Sequence, residues 1–273
     1  MRCCNLVPIA LMIGGLVGPA YAGTPGIHKV NGSIVVASGQ ASGNVSSING
    51  SIEVGESRAP GNLSTVNGSI EVASGQSVGD ISTVNGSIRI ADKDVIGHVH
   101  TVNGAIWLGT ATRALSVGTV NGRISIGPQS RIMQTVGTVN GAIRLGPSAD
   151  VSGHVASVNG GISLDAAHVG GGIESVSGNI DVGAGSRVEG GILIRDPRGL
   201  WGRSCTDRGW SLLKWLSHFG CHPPVVVIGP HSVVTGTLKF ERPVKLYVST
   251  SARIGPIDGA TAVRYSGERP PVQ

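Results

Sequence analysis

Large aromatic side chains are scarce in this chain. Phe, Trp and Tyr make up 3% of its 273 residues, although the hydrophobic share is 40%. Globular cores commonly rely on these large rings for buried area. Their scarcity excludes an aromatic-centred core and predicts an interior filled with Val, Ile and Leu.

Long apolar runs are also missing. The run from Leu6 to Val17 is too short for a membrane helix, which needs about 20 apolar residues. A basic residue precedes it, and Ala20 and Ala22 occupy the small positions of a cleavage site. This pattern predicts a bacterial secretory signal over residues 1–22, cut before Gly23, and an exported mature chain without a transmembrane anchor.

Cysteine is sparse, at four residues, and two of them lie within the signal segment. A lipid anchor would need a Cys just after the apolar run, whereas these two precede it. The mature chain keeps Cys205 and Cys221, and an even pair in an oxidising compartment predicts a disulfide. The alternative is half of a metal site with His218 and His222.

What the chain has in abundance is one repeated pattern, seen as "STVNGSIEV" and again as "STVNGSIRI". We number each copy from the Asn of its Asn-Gly pair, called position 0. The zeros are Asn31, Asn49, Asn67, Asn85, Asn103, Asn121, Asn140 and Asn159, with Ser177 in the ninth slot, at spacings of 18 or 19 residues. A fixed short period indicates a repeat architecture.

Four positions of the repeat, −4, −1, +3 and +5, are aliphatic in all nine copies, and position +3 is always Ile. These offsets do not follow the helical period. They predict an all-β, single-stranded parallel β-helix: a β-solenoid whose coils stack about 4.8 Å apart, so that like residues form ladders. We expect all four columns to share a dry interior.

A looser apolar column at position −7 suggests a third side, and we expect a right-handed, three-sided solenoid of about 11 coils, roughly 50 Å long. A left-handed hexapeptide helix also has coils of about 18 residues, but it needs an apolar residue about every six positions. The Gly at position +1 predicts a corner with positive φ. Stacked Asn side chains are expected to fix the register.

The repeat is interrupted once. We assign residues 23–194 to solenoid coils, 195–224 to an insertion, 225–260 to resumed coils and 261–273 to a C-terminal tail or cap. Within the insertion, apolar residues at helical spacing before Gly220 predict a short amphipathic helix whose ends the Cys205–Cys221 disulfide would hold.

The insertion also contains most of the large aromatics, namely Trp201, Trp210, Trp215 and Phe219. The simpler interpretation is that they cover a side of the solenoid and shield a strand edge. The alternative is a contact site for a partner.

Charge is uneven along the chain. Residues 195–273 hold 11 Lys or Arg against 5 Asp or Glu, whereas residues 23–194 hold 9 against 11. The basic end would suit an envelope glycan, another anionic surface or the acidic part of a second copy. A solvated basic surface remains the simpler interpretation. Without aromatics interleaved along the repeats, nucleic acid is not an expected partner.

No catalytic, metal or cofactor site is predicted. His98 and His100 resemble a metal pair, but His98 shares its column with generic polar residues, and His154 would lie three coils away, about 14 Å. At position +4, Glu53 and Glu71 would stack, but Arg89 follows and can neutralise one of them, and uniform repeats predict no cleft for a polysaccharide-degrading enzyme.

The Thr and Ser residues at position −2 form another regular column. We expect it on the outside, where Thr ladders can bind ice or a crystalline polymer. A solvated strand surface is the simpler interpretation.

The patterns "IGP...V.G.L" and "G.V..VNG.I.." resemble the bactofilins, bacterial polymer-forming proteins built on a β-helix, and the "TVNGSIEV" coils resemble adhesin-like solenoid repeats of exported bacterial proteins. The resemblance covers residues 26–260 apart from the insertion and implies no functional residue. We therefore expect an exported, non-enzymatic structural or adhesin-like element of the cell envelope, periplasmic or on the surface, whose open ends allow a homopolymer. The alternatives are a surface- or glycan-binding module and, less favoured, a β-helix enzyme.

Overall fold

The computed structural model describes residues 25–40, 42–56, 60–196 and 223–271. In these ranges the chain forms strands and turns without any helix, and adjacent strands pair in parallel, coil upon coil. The all-β parallel solenoid is confirmed. The predicted signal segment, the Cys205–Cys221 disulfide and the predicted helix with Trp201, Trp210, Trp215 and Phe219 lie outside the described residues.

The first ladder contains the strands that approach position 0. They are β1 (Ile27–Asn31), β3 (Val45–Asn49), β5 (Leu63–Asn67), β8 (Ile81–Asn85), β10 (Val95–Asn103), β12 (Arg113–Asn121), β15 (Val136–Asn140), β18 (Val155–Ser157), β21 (Ile173–Ser175), β24 (Ile192–Ile194), β27 (Leu238–Phe240) and β30 (Ile257–Asp258).

The second ladder follows the Asn-Gly corner and forms a separate 12-stranded sheet. Its strands are β2 (Ile34–Val36), β4 (Ile52–Val54), β6 (Ile70–Val72), β9 (Ile88–Ile90), β11 (Ile106–Leu108), β13 (Ile124–Ile126), β16 (Ile143–Leu145), β19 (Ile162–Leu164), β22 (Ile180–Val182), β25 (Val225–Ile228), β28 (Lys245–Ser249) and β31 (Ala262–Tyr265).

The third ladder supplies the third side. Its short strands are β7 (Ser77–Val78), β14 (Arg131–Ile132), β17 (Asp150–Val151), β20 (His168–Val169), β23 (Arg187–Val188), β26 (Val233–Val234) and β29 (Arg253–Ile254). The first halves of β10 and β12 belong to it as well, so the first and third ladders form one 19-stranded sheet.

The register is the one that the repeat predicts. Ile70 pairs with Ile88, and Ile88 pairs with Ile106, so position +3 stacks Ile on Ile. The second ladder has 12 rungs, one more than the sequence predicts, because β31 at 262–265 adds a strand within the segment expected as a tail. The strands before and after the insertion belong to one coil: β24 adds to the first ladder next to β21, and β25 adds to the second ladder next to β22.

The interior differs from the expectation at two neighbouring positions. The Thr and Ser column at position −2 is buried, with Thr83 and Thr101 each 4% exposed, whereas the aliphatic column at position −1 faces solvent. Position −4 points inward, and strand side chains alternate faces, so position −2 must also point inward. The prediction of an outward Thr ladder is therefore wrong.

The buried hydroxyls have a defined role. The Thr83 Oγ1 donates to the Gly68 carbonyl at 3.0 Å, and Thr101 Oγ1 donates to Gly86 at 3.0 Å. Each bond satisfies a carbonyl at the Asn-Gly corner of the preceding coil. Because a buried acceptor without a donor is costly, this explains why the column keeps a hydroxyl in a dry interior.

The Gly at position +1 is required for space rather than for positive φ. Of this column only Gly32 has a positive φ, at 108°. A Cβ on Gly104 would overlap the Gly86 carbonyl oxygen of the preceding coil. The left-handed residues lie instead in the turn eight positions after the Asn, where Lys93 and Gln129 have φ of 62° and 58°.

The last coil is closed on its core side by a tyrosine. Tyr265, at the end of β31, is 5% exposed. Its hydroxyl donates to the Ile228 carbonyl at 3.2 Å, which ties β31 to the coil containing β25. Burial raises the pKa of this hydroxyl, with a smaller contribution from the Asp181 charge.

Candidate functional site

An exposed row of aliphatic side chains runs along the first ladder. We call it the aliphatic ridge, and its members are Val30, Ile48, Val66, Val84, Val102, Val120, Val139, Val158 and Val176. Val30 is 63% exposed and Val84 39%, and from Val102 onward the ridge is half-buried. Single exposed aliphatics are ordinary, but a continuous apolar patch marks an interaction surface.

A ladder of asparagines borders the ridge. Each side-chain amide at position 0 donates to the amide oxygen of the preceding coil, as from Asn67 to Asn49 at 2.9 Å and from Asn103 to Asn85 at 2.8 Å. The row continues without a break from Asn31 to Asn159. Such a chain of polarised bonds fixes the register of the coils at the surface, as the sequence predicts.

An open groove of about 550 Å³ lies along the outer face of the second ladder. Its polar side chains, Glu53, Glu71, Arg89 and Trp107, occupy position +4 of four successive coils. Small residues at position +6, including Gly55 and Ala73, also line it. The sequence predicts the stacking of these side chains but not the groove.

The charged groups of the groove contact one another. An Arg89 Nη1 lies 3.6 Å from a Glu71 Oε1, and the Arg89 guanidinium carbon lies 5.2 Å from the centre of the Trp107 ring. Both partners of the ion pair are more than half exposed, so the pair contributes little to stability. It does hold the guanidinium between a carboxylate and an aromatic face.

The two histidines lie close together on the first ladder. The rings of His98 and His100 are stacked with centroids 6.1 Å apart, and His98 Nδ1 is 2.7 Å from the Ser116 hydroxyl. Burial and the neighbouring His98 lower the pKa of His100. Among the described residues, no group of three or more His, Cys, Asp or Glu side chains could hold a metal ion.

The third ladder carries a row of surface ion pairs. Arg131 Nε is 3.0 Å from an Asp150 oxygen, and His168 Nδ1 is 2.7 Å from the other one. Further along, Arg187 Nε is 2.9 Å from Glu189, and this bond lowers the pKa of Glu189. The two contacts of Asp150 join three successive coils across the outer face.

One carboxyl group is buried in the solenoid. Asp94 is fully buried. Its Oδ1 accepts a hydrogen bond from the backbone N–H of Gln76 at 2.6 Å, and its Oδ2 has no hydrogen-bond partner. Burial raises its pKa to about 6 against the opposing effect of the Gln76 and Gly75 amides. The corresponding corner of the next coils carries Thr112 and Ser130, so Asp94 replaces a neutral hydroxyl.

Compared with protein-family models, curated proteins and solved structures, the chain shows no match. Within the part of the chain that the structure describes, no helix is long and apolar enough to cross a membrane. Among the described residues, the aliphatic ridge and the groove lined by Glu53, Glu71, Arg89 and Trp107 have the character of binding surfaces.

Proposed function

We propose that the chain is an exported, non-enzymatic β-solenoid that serves as a structural or adhesin-like element of the bacterial cell envelope, in the periplasm or on the surface. The aliphatic ridge is the observation that supports this proposal most. Thr or Ser would suit an exposed strand position equally well, yet position −1 is aliphatic in all nine copies. Nine successive aliphatics along one side suit contact with another surface.

End-to-end association into a homopolymer is part of this proposal. Among the described residues, no strand covers the outer edges of β1 and β2, and unpaired edges can accept another chain. The resemblance to bactofilins supports end-to-end association, and it also supports a right-handed winding of the solenoid. A disulfide-closed insertion at residues 195–224 would add a side contact through its aromatic residues, and the basic C-terminal third would meet an anionic surface.

Electron microscopy and sedimentation velocity of the purified protein test this proposal. The wild type is expected to form filaments or lateral bundles of rods. Replacing Val66, Val84 and Val102 together by Thr should dissolve lateral bundles and leave single rods or end-to-end filaments. Val95→Thr, at a site 50% exposed on another ladder, is the matched control. Monodisperse wild-type rods that also fail to adsorb to isolated envelopes would contradict the proposal.

Export is tested separately. Expressed in a bacterial host, the protein should be found outside the cytoplasm with Gly23 as its first residue. Mass spectrometry of the N-terminus gives the answer, and substituting Ala20 and Ala22 by Lys should block cleavage. A chain retained in the cytoplasm with residues 1–22 intact would refute export.

A surface- or glycan-binding module is the second candidate function, and the groove at Glu53–Trp107 favours it. The volume of the groove falls in the range of small-molecule sites. Its charged side chains are exposed and Trp107 is half-buried. A β-helix enzyme is less favoured, because Arg89 pairs with one of the two carboxylates. Turnover of an envelope polysaccharide by the purified protein would overturn the non-enzymatic assignment.

A further inference from the structure

The groove on the second ladder combines three chemical elements that occur together nowhere else along residues 25–196. Trp107 is the only Phe, Trp or Tyr residue in that range. It stands at one end of a row with Arg89, Glu71 and Glu53, and beyond it the column continues with Ser125. The groove therefore has a polar side, an aromatic end and a floor of small residues.

The shape of the groove suits an extended polymer. Its position +4 side chains come from four successive coils, so they span three coil spacings, about 14 Å along the rod. The coils repeat with the same spacing on either side, and the groove is open to solvent. A chain molecule can lie along it, whereas a compact ligand would contact only one or two coils.

The charges select the chemistry of that polymer. The groove contains two carboxylates, those of Glu53 and Glu71, and one guanidinium, that of Arg89. The guanidinium pairs with Glu71. Within the described residues, Glu53 forms no ion pair, so a polyanion would meet an uncompensated negative charge. Hydroxyl groups, in contrast, donate hydrogen bonds to carboxylates and accept them from a guanidinium. The planar Arg89 guanidinium is already held in place by Glu71 and Trp107.

We propose that this groove binds a short stretch of a neutral linear glycan, with Glu53, Glu71 and Arg89 bonded to sugar hydroxyls and Trp107 packed against the apolar face of a ring. Aromatic rings contribute contact area at a low cost in side-chain entropy. The inference depends on the second candidate function. It is independent of filament formation, so each can fail without the other.

Titration calorimetry of the full chain with cellohexaose, laminarihexaose and chitohexaose tests this proposal. At least one of these neutral probes should bind, and Trp107→Ala should weaken that binding about tenfold or more. Trp107→Tyr should restore most of it, because a ring is kept. Glu53→Gln should weaken binding less, because the amide oxygen still accepts a hydrogen bond.

Tyr247→Ala is the matched control, because Tyr247 occupies the same outward column of the second ladder in a later coil. It should leave binding unchanged, and thermal unfolding of each variant shows whether the solenoid is intact. The proposal is overturned if none of the three neutral probes binds at millimolar concentration. It is equally overturned if Trp107→Ala binds like wild type, or if polygalacturonate competes as well as the neutral probe.

Discussion

At the scale of single residues, Asp94 is a fully buried carboxyl group with one oxygen that has no hydrogen-bond partner. Burial raises its pKa from 3.8 to about 6. The folded state therefore holds the proton more tightly than the unfolded state. The contribution of Asp94 to stability falls as the pH rises from about 4 through 6, and above 6 the buried charge costs up to about 3 kcal/mol.

Asp94→Ser should consequently stabilise the protein at pH 7.5, since a hydroxyl already occupies the equivalent corner at Ser130. Chemical denaturation at pH 7.5 and pH 4.5 measures the free energy of unfolding. The gain in the free energy of unfolding over wild type is expected to be about 1–3 kcal/mol at pH 7.5 and smaller at pH 4.5. An equal gain at both values would show that charge burial is not its cause.

The pair Thr83 and Val84 tests which side of the strand faces the core. Thr83→Val should cost about 1 kcal/mol, because the Gly68 carbonyl loses its donor. Val84→Thr, at a site 39% exposed, should change the free energy of unfolding by less than about 0.5 kcal/mol. Urea denaturation of both variants is the measurement, and the reverse order of effects would mean that position −2 faces solvent.

At the scale of elements, the Asn-Gly corner is the part of each coil with least room. Gly104→Ala is expected to destabilise the protein by about 3 kcal/mol, because its Cβ would overlap the Gly86 carbonyl oxygen. Gly137→Ala is the control, since its Cβ would meet only the Ala156 carbonyl oxygen at 3.9 Å. Equal thermal unfolding temperatures for the two variants would contradict the role of space at this corner.

Elements were predictable where one residue type fills all or nearly all copies of a position. The Ile column at position +3 defined the second ladder, and the Asn column defined the register. The prediction for positions −2 and −1 was wrong because Thr and Val are both β-branched and suit either side of a strand. Counting alternate positions from the inward position −4 would have placed Thr83 inside and Val84 outside.

The groove was beyond sequence reasoning for a different reason. The order Glu53, Glu71, Arg89, Trp107 is visible in the repeat. The concave floor of the groove, however, depends on the path of the backbone at the small residues of position +6. The sequence does not distinguish Asp94, because its column also contains Gln76 and Thr112, which are typical of a polar turn. Burial, rather than residue type, distinguishes it.

At the scale of the whole molecule, the solenoid is a stack of coils. From β1 to β24, neighbours along the axis are 18 or 19 residues apart in sequence. The first and second ladders join the coils from β1 to β31, and the third ladder joins them from β7 to β29. The aliphatic ridge and the groove run along the axis. Both proposed surfaces depend on that stacking, because each is assembled from single residues of successive coils.

Spin-label distances along one outward column of the third ladder test the stacking most directly. With the four cysteines replaced by Ser, labels are placed at Arg113 and Arg187, at Val95 and Arg187, and at Ser77 and Arg187, which are separated by four, five and six rungs. Double electron–electron resonance should give backbone separations of about 19, 24 and 29 Å, rising by one strand spacing per rung. Distances that do not increase in equal steps with the number of coils would contradict the account.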